Sequence, residues 1–494
     1  ALSVHGISLP GLPMVFIGFN DKLAWATTTA SYDYTDVYLE EVTPGEGDAP
    51  DTVLFQGEQV PVETVTETLL IGFAGQIHEE RILSWQVVPH HGPIVPTGDE
   101  LGLVDNVAQR LSVRFADGRP EHSVISFVDV AFAHTVEEAE EALDGFGAGG
   151  ANWVVATIEG DIFYSGSSFI PVRPEECRTF HHLANPDGVA PFFVLPGTGE
   201  CEWQGGLDDR YIPHAVNPAK GFVVTANEDQ VGSTFDNDPL NEPHYAGYDY
   251  ADGFRGGRIT ELIEAGGRSH SMETMSAIQH DTQSGFGRWA AEHAVATIDA
   301  ARAGRYELGP RRDALGEGFA TLEDLASRLQ SWDFETGADS VATSIHSVWF
   351  TFLLDAAFAD ECEAAGRCPG TTERGNALLR MLAKDDRLGI LAESGESLLW
   401  DDLRTPDVLE GPWDVMMTAW EKTPAKLEEL FGDANPDSWT WGKLHRKRME
   451  SALPSLGGGA SPLDYTPEGG VPRPGDRSNV NVCNGGVTGF GFEC

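Results

Sequence analysis

The chain has 494 residues, with 32 Lys+Arg against 78 Asp+Glu and a formal charge of −46. A field of that sign repels phosphate, which excludes nucleic acid and an anionic membrane surface as partners. Yet 41% of the residues are hydrophobic and 10% aromatic, too apolar for a disordered acidic chain, and the length allows two to four domains; no unbroken apolar run of about 18 residues spans a bilayer.

The first part of the chain, 1–258, reads as sheet. Short apolar or alternating runs fall at 15–18, 23–26, 37–42, 53–55, 60–68, 111–115, 153–158 and 162–165, with Gly/Pro punctuation between them. Asn20-Asp21 reads as the turn between the first two, and Glu159-Gly160-Asp161 as a hairpin turn. One helix interrupts the strands over 136–143, with Thr135 as its N-cap and Glu137 and Glu138 in its first turn. From 259 to 431 the period is helical. Thr321 with Asp324 looks like a capping box. Leu322, Leu325, Ala326, Leu329 and Trp332 then recur at one-face spacing. The remainder, 432–494, turns Gly- and Pro-rich and reads as a return to the sheet. Six cysteines fall as three local pairs, Cys177/Cys201, Cys362/Cys368 and Cys483/Cys494. That is one of about fifteen connectivities, and it favours disulfides and an oxidising compartment.

Common site motifs are absent: there is no GxSxG, HExxH, P-loop or post-strand GxGxxG. His90-His91 and His181-His182 are adjacent pairs whose rings point apart in extended chain, so they make poor joint metal ligands. Asp236-Asn237-Asp238 lacks the glycine and late Glu of an EF-hand. The basic run at 443–448 reads as an internal neutralising patch.

The informative segment is 8–38, SLPGLPMVFIGFNDKLAWATTTASYDYTDVY. It resembles the penicillin amidases, N-terminal-nucleophile acylases that include lipopeptide and acyl-homoserine-lactone acylases. Further landmarks keep the family's order: His91-Gly92-Pro93; Asn152-Trp153-Val154-Val155-Ala156 with Asp161, Ile162 and Tyr164; Leu195-Pro196-Gly197-Thr198-Gly199 with Trp203; Gly221-Phe222 through Ala226-Asn227; and the segment 255–259. Trp332-Asp333, Asp339-Ser340, Trp441-Gly442 with His445, and Val480-Asn481 follow. The resemblance implies an α+β fold, a four-layer αββα N-terminal-nucleophile hydrolase sandwich with an inserted helical region.

It also implies chemistry. The family cleaves a linear amide with an N-terminal Ser whose own amine is the base. Asn227 matches the side-chain donor of the oxyanion hole, and Thr29 the backbone donor. Arg258 matches a cation that orients the asparagine and the nucleophile's amine. Asp33, the Thr35 carbonyl, Asp36, the Pro191 carbonyl and Asp249 (or Asp252 or Asp238) match a structural Ca²⁺ site that a carboxylate of the smaller subunit completes. No organic cofactor is implied. The acyl group would sit near Thr29, with Phe55 and Trp153 as apolar contacts. Residue 1 is Ala, and Ser3 and Ser8 lie too close to SLPGLP to be the nucleophile. The expectation is therefore an incomplete catalytic subunit, inactive alone, whose nucleophile and smaller alpha subunit lie elsewhere in the same precursor. Its substrate would be a small acyl amide, and its setting periplasmic or secreted. A non-catalytic acyl-binding relative is the alternative. An acidic, calcium-dependent adhesive protein is a third reading, disfavoured because the acidic residues are not arranged in repeats.

Overall fold

A computed structural model describes residues 3–9, 11, 14–47, 49–73, 76–95, 109–116, 120–179, 188–235, 238–305, 308–366, 368–383, 397–447 and 470–482. The His181-His182 pair, Asp236-Asn237 and the Cys483/Cys494 pair lie outside them. The chain divides into two compact units, Ala1–Tyr250 and Ala251–Cys494.

The first unit holds strands β1 (His5–Ile7), β2 (Ile17–Phe19), β3 (Leu23–Thr29), β4 (Thr35–Thr43), β5 (Thr52–Phe55), β6 (Glu58–Pro61), β7 (Glu63–Phe73), β8 (Gln76–Val88), β9 (Gly92–Pro93) and β10 (Gln109–Phe115). Helices α1 (Pro120–Phe132) and α2 (Val136–Leu143) follow, then β11 (Ala151–Thr157), β12 (Ile162–Ser165), β13 (Val194–Pro196) and β14 (His214–Val216). One antiparallel sheet runs β1-β2-β3-β11-β12-β14. A second runs β10-β4-β5-β6, with β13 parallel to β4, and a third runs β7-β8-β9.

Local chemistry explains the first sheet. Asn20 Oδ1 accepts from the Lys22 and Leu23 N–H groups, closing the β2–β3 turn. Its Nδ2 donates to the Ala131 and Ala133 carbonyls, tying that turn to the end of α1. Gly160 at φ +98° makes the β11–β12 turn, a conformation costly for other residues. Alternation along β3 and β11 sends Leu23, Trp25, Trp153 and Val155 to one face, where they pack with Phe163 and with Phe127, Val130, Ala139 and Leu143 of the two helices. The other face carries Thr28 opposite Asn152. Helix α2 has the boundaries and N-cap read from sequence, the Thr135 hydroxyl accepting from Glu138 N–H at 3.2 Å. Helix α1 was not read from sequence. Val124, Ile125 and Phe132 are exposed on it, so it shows no clear polar face.

The second unit contains α3 (Phe254–Gly266), α4 (Met272–Gln279), α5 (Gly285–Arg302), α6 (Leu308–Leu315), α7 (Gly318–Gln330), α8 (Val341–Ala365), α9 (Thr371–Ala383), α10 (Pro412–Phe431) and α11 (Trp441–Leu444), with a β15 (Arg446–Lys447) and β16 (Val471–Pro472) ribbon. Its core joins α5, α7, α8 and α10, and Trp420 Nε1 donates to the Ala294 carbonyl at 2.9 Å. Leu322, Leu325, Ala326, Leu329 and Trp332 all face that core. The capping box expected at Thr321 is not a helix start: α7 begins a turn earlier, at Gly318. Helix α8 is long and apolar enough over Val341–Ala364 to cross a membrane, but 78% of its apolar 18-residue stretch is buried, as in a core helix. The described residues after Phe431 do not return to the first sheet. They bond within the helical unit, through Gly475 N–H to the Thr336 carbonyl and Asn481 N–H to the Asp281 carbonyl. Lys443 and Arg446 of the basic run are spent on backbone carbonyls, those of Ser438, Gly442 and Gly470.

Candidate active site

Thr29 ends β3, and its carbonyl is where the first sheet meets the loop carrying Asn227. Asn227 Nδ2 donates to the Thr29 carbonyl at 2.9 Å. Asn152 Nδ2 donates to the same carbonyl at 3.3 Å and to Thr28 Oγ1 at 3.2 Å. Tyr164 OH donates to Asn152 Oδ1 at 2.7 Å, and Thr28 Oγ1 lies 2.7 Å from Thr225 Oγ1. Asn227 itself is held at φ +70°, a left-handed conformation that asparagine tolerates better than most side chains. The loop beyond it is fixed by buried Asp229, whose carboxylate accepts from the Val231, Gly232 and Thr234 N–H groups. The sequence alone assigns Asn152 no role. Its signal is a buried asparagine on the strand paired with Thr28.

Trp153 and Phe55 lie elsewhere. Trp153 is 0% exposed, wedged between Phe127 and Phe146 on the helix side of the sheet. Phe55 stacks on His90 with ring centroids 3.7 Å apart. The rings of His90 and His91 do not point apart as extended chain would have them. Residues 89–91 form a turn, and the two centroids are 4.4 Å apart. His91 is fully buried between two carboxylates: Nδ1 lies 2.7 Å from Glu40 and Nε2 2.6 Å from Glu202. Glu202 also takes Arg114 at 2.8 Å, and the His91 ring stacks on Tyr38. Burial works against the His91 charge, but its hydrogen bonds to Glu202 and Glu40 outweigh it and raise its pKa. Burial likewise pushes the Glu202 carboxyl up, and the His91 and Arg114 contacts bring it below its ordinary value.

The acidic loop between β3 and β4 holds an arginine. Arg173 Nε donates to Asp36 Oδ2 at 2.9 Å and Oδ1 at 3.1 Å. Arg173 Nη2 donates to Asp36 Oδ1 at 2.8 Å and to the Asp33 carbonyl at 3.0 Å, and lies 3.4 Å from Asp33 Oδ1. Trp203 Nε1 donates to Asp36 Oδ2 and Tyr245 OH to Asp33 Oδ2, each at 2.6 Å. Pro191 is buried, Thr35 opens β4, and Asp249 is exposed. Each carboxylate oxygen of Asp33 and Asp36 thus faces a donor or a cation. With Arg173 in place, these residues do not fit a calcium ion.

Arg258 belongs to the second unit. It lies in the second turn of α3 and grips Asp281 with two parallel bonds, at 3.1 and 2.8 Å, while Nη1 reaches Glu261 at 3.0 Å. These partners hold its pKa above the ordinary arginine value. An open cleft of about 460 Å³ lies beside it, lined also by Phe254, Gln283 and Arg288.

The family model for penicillin amidase matches residues 1–494, the whole chain. The chain belongs to the penicillin amidase family. Within it, an acyl-homoserine lactone acylase QuiP of Pseudomonas syringae pv. tomato is 26% identical over 497 residues, covering 99% of this chain and 54% of the relative. A penicillin acylase 2 proenzyme of Pseudomonas sp. (strain SE83) is 28% identical, covering 91% of this chain and 49% of the relative. The chain thus spans about half the length of the curated relatives it matches. A thermostable penicillin G acylase structure from Alcaligenes faecalis superposes with TM-score 0.60 at 19% identity, over 89% of this chain and 73% of that one. That likeness establishes the α+β N-terminal-nucleophile hydrolase fold of this chain.

Proposed function

We propose that this chain carries the oxyanion-binding part of an acylase that cleaves a linear amide and releases a hydrophobic acyl group. The observation that carries the reading is Asn227, tied to the Thr29 carbonyl at 2.9 Å in a left-handed conformation. Attack on the amide carbon drives negative charge onto the carbonyl oxygen. The side-chain N–H of Asn227 and the backbone N–H of Thr29 donate to that oxygen. In this reading the nucleophile is an N-terminal serine activated by its own amine. Collapse expels the amine product and leaves an acyl-serine, which water hydrolyses. Arg258 keeps the positioning role that the resemblance gives it. A smaller subunit from the same precursor supplies the rest of the acyl site.

The relatives' names span acyl-homoserine lactones and penicillins. Both are amides that join an acyl chain to an amine on a ring, which supports the linear-amide class. The disulfides Cys177–Cys201 and Cys362–Cys368 support a periplasmic or secreted setting. The test is a panel of acyl-p-nitroanilides, from aryl-acetyl to long-chain acyl, on the full-length protein. Hydrolysis that favours apolar acyl groups is expected, and the 494-residue chain alone is expected to show none. No turnover of any member by the processed full-length protein would favour the non-catalytic acyl-binding reading instead.

A further inference from the structure

We propose that the Asp33–Asp36 loop carries its own cation: Arg173 fixes it in place of a divalent metal, so this part of the fold does not need calcium. The argument begins with burial. The side chains of Arg173 and Asp36 are both 0% exposed, and that of Asp33 is 13% exposed. Ions so placed persist only when every charge meets a partner. Here they do. The guanidinium spends Nε on both Asp36 oxygens, Nη2 on Asp36 Oδ1 and the Asp33 carbonyl, and Nη1 on the Pro171 carbonyl at 3.4 Å. Its planar fork suits a carboxylate, which a spherical ion would instead share among several oxygens.

The surroundings are built for an arginine. The Tyr245 ring lies under the guanidinium carbon at 5.3 Å, while its hydroxyl holds Asp33 Oδ2. Trp203 Nε1 takes one more lone pair, on Asp36 Oδ2. The Arg173 backbone is positioned independently of the loop, because Val172 N–H donates to the Gly205 carbonyl and Gln204 N–H to the Val172 carbonyl. The loop links the end of β3, where Thr29 sits, to β4. A covalently attached cation therefore keeps that strand end in place whatever the free metal concentration.

The experiment uses the full-length protein, melted in excess EDTA and in about 5 mM CaCl₂, with bound calcium counted after dialysis. The expected result is the same melting temperature in both. A calcium-dependent rise of several degrees that disappears in Asp36→Asn would overturn the proposal. No rise, or one that persists in Asp36→Asn and so comes from another site, upholds it. Should Asp36→Asn fail to fold, Asp33→Asn, which keeps the Arg173–Asp36 fork, takes its place. The reciprocal variant, Arg173→Met, is expected to melt lower than wild type and to regain part of the loss in calcium. If Arg173→Met melts like wild type in EDTA, the arginine is not the cation that holds the loop.

Discussion

Asn227 adopts φ +70° and bonds to the Thr29 carbonyl, so one residue supplies both a backbone turn and a side-chain donor. Asn227→Asp keeps the size and shape but replaces the amide N–H with an acceptor facing that carbonyl. It is expected to cut kcat by about 10²–10³ on the best amide of the panel, the loss typical of one oxyanion donor. A drop below threefold would remove Asn227 from the chemistry. His91 gives a prediction in pH. Its pKa is raised in the fold, so its contribution is fully present below its ordinary 6.5 and fades as pH climbs through the folded value. Glu202 is lowered, so its share is present above its ordinary 4.5 and lost as acid titrates it. His91→Gln is therefore expected to cost most at about pH 6 and little at about pH 9, read by denaturant melts at both. An equal cost at both would show that the ring acts through packing alone.

At the level of elements, β13 is tied to the sheet by parallel pairing with β4 and by the Cys177–Cys201 disulfide, which closes 24 residues of separation. Loop-closure entropy assigns that crosslink about 3.5 kcal/mol. The double variant Cys177→Ser/Cys201→Ser is expected to lose about 2–4 kcal/mol in a denaturant titration. A loss under about 1 kcal/mol would mean that β4 pairing alone orders this loop. Elements were legible in sequence where one local signal sufficed. Thr135 before an amphipathic turn marked α2, and the one-face repeat from Leu322 to Trp332 marked α7. Helix α1 escaped because its apolar residues lie on both faces, leaving no period to read. The start of α7 was misplaced because Thr321 and Asp324 mimic a cap inside a helix.

Across the whole molecule, the net charge of −46 is dispersed over both units. Self-repulsion of that size weakens the compact state, and salt screens it. Melting temperature is expected to rise steadily as NaCl goes from about 0.05 M to about 1 M. A flat response would mean that local ion pairs such as Arg311–Glu421 already offset the field.

The sequence by itself determined the family and the order of its landmarks, because those signals lie in contiguous motifs and local periods. Through the resemblance it assigned Asp33 and Asp36 to a calcium site. Only the tertiary structure decided which cation faces them, since Arg173 lies 137 residues from Asp36 in the chain. In the same way it turned Trp153 inward to the core and set His91 between Glu40 and Glu202. The physical reason is common to all three. Strand register fixes which face a side chain takes, and buried charges are satisfied by whatever partner the fold brings within about 3 Å, however distant in sequence.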